Sequence, residues 1–599
     1  MLTEKWMGRE RLVRVVLVCV LAMSGALAWA QQPLQYERNV PMRTRDGVVL
    51  RADVYRPLTG GTHPVLLQRT PYNKDGGVQF ALEAVDRGYM VVIQDVRGRY
   101  ASDGDWYPFK NEMNDGYDAV EWAAGLPGSN GKVGMWGGSY VGATQMLAAV
   151  THPPHLAGIC PVVTASNYHE NWTYQGGAFE QWFNESWTSG LSQDTLDRKI
   201  RRESKPADDV NVLPLTQYPV LQSKMQTGSV ETSRELAPYF EDWAKHTEYD
   251  DYWKQWAIAE RYGEIRVPAL TVAAWYDIFQ GGSVRNYMGM RDHAGTEEAR
   301  NGQRLLIVIG GHAGGGRKIG AVDFGDAAAE YDEGKVTLDW YDYLLQGKQN
   351  EFARPDRVKL FVMGDNKWRW EKDWPLERAK ETKFYLHSDG KANSSAGDGK
   401  LSLTEAAKET ADSFVYDPAK PVPTTGGPLC CGPFNGMLGP QNQSTVEDRK
   451  DVLVYTTAPL DHDVEVTGQV KLELYAKSSA VDTDFTGKLV DVGPDGFAKN
   501  LTEGILRAKY RESTLGAAEL MKPGEVYKFE IDLWSTSNVF KKGHSIRLEV
   551  SSSNFPRFDR NLNTGKSASE SAAMVKATNT ILHDAAHESV LVLPMVPQE

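Results

Sequence analysis

The chain of 599 residues carries 66 basic and 79 acidic side chains, a formal charge of −13, and is too long for one hydrophobic core, so two or three domains are expected. Its charges are interspersed, which excludes the concentrated basic face that nucleic acid or an anionic membrane surface requires. An apolar content of 41% is ordinary for a globular protein, while 17 Trp and 26 Tyr suit aromatic packing surfaces and pockets.

Lys5, Arg9, Arg11 and Arg14 form a basic segment around the apolar run Leu12 to Ala22, and Ala28-Trp29-Ala30 fits a small-x-small cleavage site. Residues 1–30 therefore read as a signal peptide, with the mature chain starting near Gln31 in the periplasm or outside the cell. The apolar run is short for a membrane span, so no stable membrane insertion is expected.

Residues 31–164 read as the first part of a parallel, doubly wound sheet. A hairpin at 38–56 turns at Arg45-Asp46-Gly47. A β run at His63 to Arg69 ends in Thr70-Pro71-Tyr72, then come a helix at Gln79 to Arg87, a strand at Tyr89 to Gln94 and a helix at Asp115 to Ala124. Next comes Lys132-Val-Gly-Met-Trp-Gly-Gly-Ser-Tyr-Val-Gly142, an apolar strand closed by two glycines and a serine, followed by a helix over Val141 to Val150. Strand, sharp Gly-flanked turn, Ser and helix is the pattern of a nucleophile elbow, although its usual second-place glycine is Val141 and Gly142 comes third. Read blandly, it is a Gly-rich turn with an incidental serine.

From 165 to 262 the strand rhythm stops, and Trp172, Trp182, Trp187, Trp243, Trp253 and Trp256 sit among polar, mostly helical segments. This reads as an inserted helical cap in which most of the tryptophans simply pack and some line an acyl pocket. The sheet pattern resumes over 263–357. Val267 to Ala274 ends at Trp275-Tyr276-Asp277, Arg304 to Ile309 ends at Gly310-Gly311-His312, and a long helix covers roughly Ala327 to Leu345. Residues 358–599 are short β runs between Gly, Asn, Asp and Ser turns, among them Lys383 to His387, Val452 to Thr456, Glu465 to Tyr475 and Ile546 to Val550. They read as an all-β sandwich or jelly roll.

A serine nucleophile needs an imidazole base and a carboxylate to orient it, and in this strand order they follow as Ser, acid, His at strand ends. Ser139, Asp277 and His312 meet that constraint. His152 and His155 lie in a loop after the elbow helix, His293 follows a helix, and His387, His462, His544, His583 and His587 belong to the β region; His169 is the second candidate for the base. An oxyanion hole needs two donors. The backbone N–H of Tyr140 is one, and with no Gly-rich donor loop after the early strand, the hydroxyl of Tyr72 is the natural second.

Of the four cysteines, Cys19 lies in the signal segment and Cys160 reads as a buried thiol. Cys430 and Cys431 are too few for a zinc site, so neither metal nor cofactor is expected. In an oxidising compartment they can form a strained vicinal disulfide or pair with Cys160; the sequence leaves the pairing and the redox state of all three open.

Arg69-Thr-Pro-Tyr72, Gln94-Asp-Val-Arg-Gly98, Gly137-Gly-Ser-Tyr-Val-Gly142, Trp275-Tyr-Asp277, Phe361-Val-Met-Gly364 with Trp368, Asp482-Thr-Asp-Phe-Thr-Gly-Lys-Leu-Val-Asp491 and Ser551-Ser-Ser-Asn-Phe-Pro556 together resemble the cocaine esterase, or CocE/NonD, family of serine hydrolases. That family is related to glutaryl-cephalosporin acylases, α-amino-acid ester hydrolases and X-Pro dipeptidyl-peptidases. The resemblance covers essentially the whole mature chain, and the third-place glycine is the family's own form. It implies an α/β-hydrolase core with an inserted helical cap and a C-terminal jelly roll. It also implies a Ser139–His312–Asp277 triad and an oxyanion hole of Tyr72 and Tyr140. Two departures bear on specificity. Only Gly310-Gly311 precede His312, which implies a more open wall. Ile278-Phe279-Gln280 follow Asp277 where the amino-acid ester hydrolases carry carboxylates, which disfavours a substrate ammonium. The expected activity is hydrolysis of small uncharged or aromatic acyl esters or amides, with an X-Pro dipeptidyl-peptidase or a non-catalytic carbohydrate- or surface-binding protein as rivals.

Overall fold

The computed structural model describes residues 34–58, 60–203, 236–312, 314–431 and 436–597. The expected signal segment lies outside them, as do residues 204–235 of the helical insertion.

The first sheet has eleven strands among the described residues. Its centre is parallel, running through Met90–Asp95, His63–Thr70, Ser129–Gly138, Leu156–Val162, Leu270–Tyr276, Arg304–Gly311 and Val358–Val362. Antiparallel strands close both edges: Leu34–Arg43 and Val49–Pro57 on one side, Lys367–Glu371 on the other. Met90–Asp95, Leu270–Tyr276 and Arg304–Gly311 are buried at every position, as expected for strands covered by helices on both faces.

Glycine sets how closely those helices approach. On one face, the helix Glu333–Gln346 lays Tyr341 over Gly134, where an added Cβ would lie 2.3 Å from the ring, and Leu344 over Gly158. On the elbow side, the helices Glu112–Ala124 and Tyr140–Ala149 meet where Gly116 faces Ala148. The helix expected over Ala327 to Leu345 is shorter. A 3-10 turn at Asp326–Glu330 precedes it, and Asp332 caps the true start by accepting from the Lys335 amide at 2.9 Å.

Between Leu156–Val162 and Leu270–Tyr276 come the helices Gln181–Glu203, Pro238–Lys245 and Asp251–Lys254. The segment's sequence shows no clear strand, yet Tyr174–Gln175 and Ala178–Phe179 form a small antiparallel pair. All six tryptophans named there are buried.

After Lys367–Glu371 the chain forms a second eleven-stranded sheet, antiparallel apart from one short pairing. Its core is continuous with residues of the first sheet's far edge, such as Leu360 and Met363. Arg557, 1% exposed, crosses the junction: Nη1 lies 2.5 Å from Glu503, and Nη2 lies 2.8 Å from Gln175 and 3.5 Å from Glu180. Burial pushes the Glu180 carboxyl up to about 7 despite the attraction of Arg557. Removing one partner of a buried charged set leaves the others uncompensated. Arg557→Met is therefore expected to lower unfolding stability by about 3–5 kcal/mol, read as a shifted denaturation midpoint; an unshifted midpoint would show that the cluster is already neutral.

Candidate active site

Ser139 sits between the strand Ser129–Gly138 and the helix Tyr140–Ala149 with φ 61° and ψ −127°, in the left-handed half of backbone space. That conformation is uncommon for a residue with a side chain and persists only where its surroundings hold it. Here the Ser139 amide donates to Val162 O at 2.9 Å, and Ser139 O accepts from the Gly142 and Ala143 amides. Gln145 ties the turn to the next strand: its Nε2 donates to Gly137 O at 2.8 Å, and its Oε1 accepts from the Cys160 amide at 2.9 Å.

The glycine spacing has a steric reason. A Cβ on Gly137 would fall 2.4 Å from Val141 Cγ1, so the bare α-carbon at 137 is what admits a valine at 141. A Cβ on Gly142 would fall 2.8 Å from Thr164 Cβ, so the third-place glycine lets the helix approach the end of the neighbouring strand.

Tyr72 and the elbow are held by one buried network. Thr144 Oγ1 donates to Arg69 O at 3.1 Å, joining the elbow helix to the strand that leads into Tyr72. The Arg69 guanidinium donates to Gln94 Oε1 at 3.0 Å and to Glu112 Oε2 at 2.7 Å, and Glu112 Oε1 accepts from the Tyr140 hydroxyl at 3.1 Å. The Tyr140 side chain is thus committed to the scaffold, so only its backbone N–H is left to face the site.

Asp277 and His312 stand at the ends of Leu270–Tyr276 and Arg304–Gly311. Asp277 is fully buried; its Oδ1 accepts from the Phe279 amide at 2.7 Å, and its Oδ2 lies 2.7 Å from His312 Nδ1. A carboxylate only accepts, so Nδ1 carries the ring proton and Nε2 is left to accept from Ser139 Oγ, 2.8 Å away. Such a chain of carboxylate, imidazole and hydroxyl can move the hydroxyl proton onto the ring as the oxygen attacks an electrophile. Phe279 braces the imidazole edge-on at 5.2 Å and itself stacks on Trp172 at 4.5 Å. His169, the second candidate for the base, is buried elsewhere. It faces Thr247 O, Tyr174 and Trp253, and burial lowers its pKa to about 4.

These residues open into a cavity of about 360 Å³, within the range of small-molecule sites. Tyr72, Val163, Trp187, Glu333 and Cys431 line it beside Ser139 and His312. The Tyr72 ring is 39% exposed along the cavity, but its hydroxyl lies deep, facing Ser139 and the Tyr140 amide. Burial raises that hydroxyl's pKa, so it keeps its proton. The Trp187 indole N–H donates to the Tyr72 oxygen at 2.9 Å, which leaves the Tyr72 O–H free to donate.

Glu333 and Cys431 are not expected at the cavity from the sequence, and Trp187 is not singled out among the tryptophans expected to pack the cap or line a pocket. Trp187 is one tryptophan among many, and nothing local separates it from those that only pack. Glu333 starts the helix Glu333–Gln346. It reaches solvent inside a concavity, and protein crowded around it raises its pKa, with the charge of His312 acting in the opposite direction. Cys431 arrives from the β domain, joined to Cys430; Cys160 is a free buried thiol. Ile278, Phe279 and Gln280 are all buried, Gln280 Nε2 donates to Ser535 O at 2.9 Å, and none of the three lines the cavity. Among the described residues no cluster of His, Cys, Asp and Glu is arranged to hold a metal ion.

Comparison with known proteins gives the chain's family. The chain is 39% identical over 576 residues to a cocaine esterase from Rhodococcus sp. (strain MB1 Bresler), spanning 93% of this chain and 98% of the relative. The chain belongs to the cocaine esterase family of serine hydrolases. Residues 46–314 match the X-Pro dipeptidyl-peptidase (S15 family) model, and residues 350–592 match the X-Pro dipeptidyl-peptidase C-terminal non-catalytic domain. Among solved structures, an aminopeptidase from a marine sediment Thaumarchaeota archaeon superposes with TM-score 0.79 at 25% identity, covering 94% of this chain and 97% of that one. An α-amino acid ester hydrolase superposes with TM-score 0.78 at 24% identity, covering 95% and 97%; at that identity the likeness is one of fold.

Proposed function

We propose that this serine hydrolase cleaves acyl esters or amides through an acyl-enzyme on Ser139, with His312 as general base and Asp277 as its orienting carboxylate. The observation that carries the reading is the continuous hydrogen-bonded chain from Asp277 through His312 to Ser139, opening into the cavity beside Tyr72. In this course Ser139 Oγ attacks the carbonyl carbon as its proton passes to His312 Nε2. The developing oxyanion accepts from the Tyr72 O–H and the Tyr140 N–H at the start of the elbow helix, where the helix dipole also favours negative charge. His312 then protonates the leaving alkoxide or amine, and water repeats the sequence on the acyl-enzyme. The segment 165–262 acts as a cap that brings Trp187 over the nucleophile, and the C-terminal domain, a jelly roll, supplies the wall at Cys431.

Trp187, Val163 and Tyr72 favour an uncharged or aromatic acyl group, and the name of the Rhodococcus relative supports ester chemistry. Glu333 supports a second reading: a carboxylate stands in the cavity after all, though not where the amino-acid ester hydrolases carry theirs, and it offers a partner to a substrate ammonium. A panel of neutral aryl esters against X-Pro-amides decides between them. Neutral aryl esters are expected to be the better substrates; preferred turnover of X-Pro-amides, lost in Glu333→Gln, would establish the second reading. In Ser139→Ala, turnover and fluorophosphonate labelling should both vanish without a change in unfolding midpoint. Persistent turnover would refute the assignment.

Tyr72→Phe should raise the barrier by about 2.7–4 kcal/mol, seen chiefly in kcat. Trp187→Phe, which removes the donor that aims the Tyr72 hydroxyl along with part of the buried indole, should cost at least about two- to tenfold. Losses below threefold for Tyr72→Phe would assign that ring to packing.

The N-terminal pattern from Lys5 to Ala30 supports export to the periplasm or medium. Extracytoplasmic protein is expected to begin near Gln31 by N-terminal sequencing; a chain confined to the cytoplasm with Met1 or Leu2 intact would overturn export.

A further inference from the structure

One wall of the Ser139 cavity carries chemistry that hydrolysis does not use. Cys430 and Cys431 are joined by a disulfide between adjacent residues. Cys431 lines the cavity with Ser139, His312, Tyr72 and Trp187. Cys430 is 3% exposed, within the apolar cluster that holds Trp172, Trp187 and Phe279, and Cys431 packs half-buried against it. The Cys431 backbone is left-handed, with φ 70°, and its carbonyl accepts from the Trp182 indole at 2.8 Å.

Global stability does not account for this bond. A disulfide acting through the unfolded chain gains with the length of loop it closes, and between neighbours that loop is the shortest available. What remains is local. The ring fixes the backbone at a position where a residue with a side chain rarely sits, and it does so at the edge of the cavity. Trp182 and Trp187 lie on the same helix, Gln181–Glu203, so the helix that binds Cys431 also carries the donor to Tyr72.

We propose that the Cys430–Cys431 disulfide is a redox-responsive wall of the Ser139 cavity, setting which acyl groups enter and changing that selectivity when a dithiol reduces it. The proposal rests on Ser139 as the nucleophile. One thiolate of the dithiol attacks the Cys431 sulfur, the more accessible of the two. The S–S bond breaks, and its electron pair leaves on the Cys430 sulfur, which takes up a proton. The reductant's second thiol displaces the Cys431 sulfur and departs as a cyclic disulfide, so the electron pair and both hydrogens pass from the dithiol to the protein. Cys160 takes no part: it is buried elsewhere, with its thiol pushed up to about 12 by burial. Once open, the two side chains turn independently, and Cys431 is free to leave the left-handed conformation that shapes the wall.

The test compares the full chain before and after treatment with dithiothreitol. Thiols are titrated, fluorophosphonate labelling follows Ser139, and kcat/KM is measured for p-nitrophenyl acetate and p-nitrophenyl benzoate. Reduction is expected to add two titratable thiols, leave labelling intact and change the benzoate-to-acetate ratio by about tenfold, the low end of what one methylene-sized change in a pocket achieves. The double variant Cys430→Ser, Cys431→Ser should show the reduced chain's ratio and no response to dithiothreitol; if it fails to fold, the wild-type pair decides alone. An unchanged ratio despite two new thiols overturns the proposal, as does a bond that resists dithiothreitol throughout the range in which the fold survives. Absent labelling in both redox states removes the Ser139 reading itself, and the proposal falls with it.

Discussion

Everything at the site depends on one close approach, that of the elbow helix to the centre of the parallel sheet. Ser139 keeps a left-handed backbone because Val162 O, the Gly142 and Ala143 amides and the Gln145 side chain hold the turn from both sides. That contact is possible only because Gly137 and Gly142 lack side chains where Val141 and Thr164 press in. The close approach sets where the serine oxygen, the Tyr140 amide and the helix N-terminus lie, and the other groups are arranged around them.

Around that turn, polar groups are satisfied in a fixed sequence that leaves the useful atoms unspent. The two oxygens of Asp277 are divided between the Phe279 amide and His312. The Tyr140 hydroxyl is spent on Glu112 and Phe109, so only its N–H is left, beside the Tyr72 hydroxyl. The Tyr72 oxygen accepts from Trp187, which leaves its proton for a substrate. Arg69, Gln94 and Glu112 touch no part of the cavity, yet they join the Tyr72 strand to the elbow. Because that network is buried and hydrogen-bonded from strand to elbow helix, it fixes their relative position.

The β domain takes part in the site as well as in stability. It supplies Cys431 to the cavity and receives Gln280 through Ser535 O, and through Arg557 it shares a buried charge cluster with the insertion that carries Trp187. The two matched regions, 46–314 and 350–592, are therefore separate in sequence but build one pocket.

The sequence by itself determined the alternation of strands and helices, the elbow, and the order Ser139, Asp277, His312. These follow from periodicity and from residues whose backbone demands are local, as at Gly137, whose φ is 122°; the neighbouring Gly138 carries no such demand. It also bounded the cysteine pairing to two choices. Only the tertiary structure decided which choice holds, that Trp187 rather than its neighbours aims Tyr72, that Glu333 reaches the cavity, and that the helix before Leu345 starts at Glu333 instead of Ala327. The placing of Trp187 and Glu333 depends on residues distant in the chain meeting across the cavity, and no local pattern encodes where a buried tryptophan points or which loop closes a wall. Hydrogen-bonding chemistry is written residue by residue, whereas enclosure is a property of packing between segments.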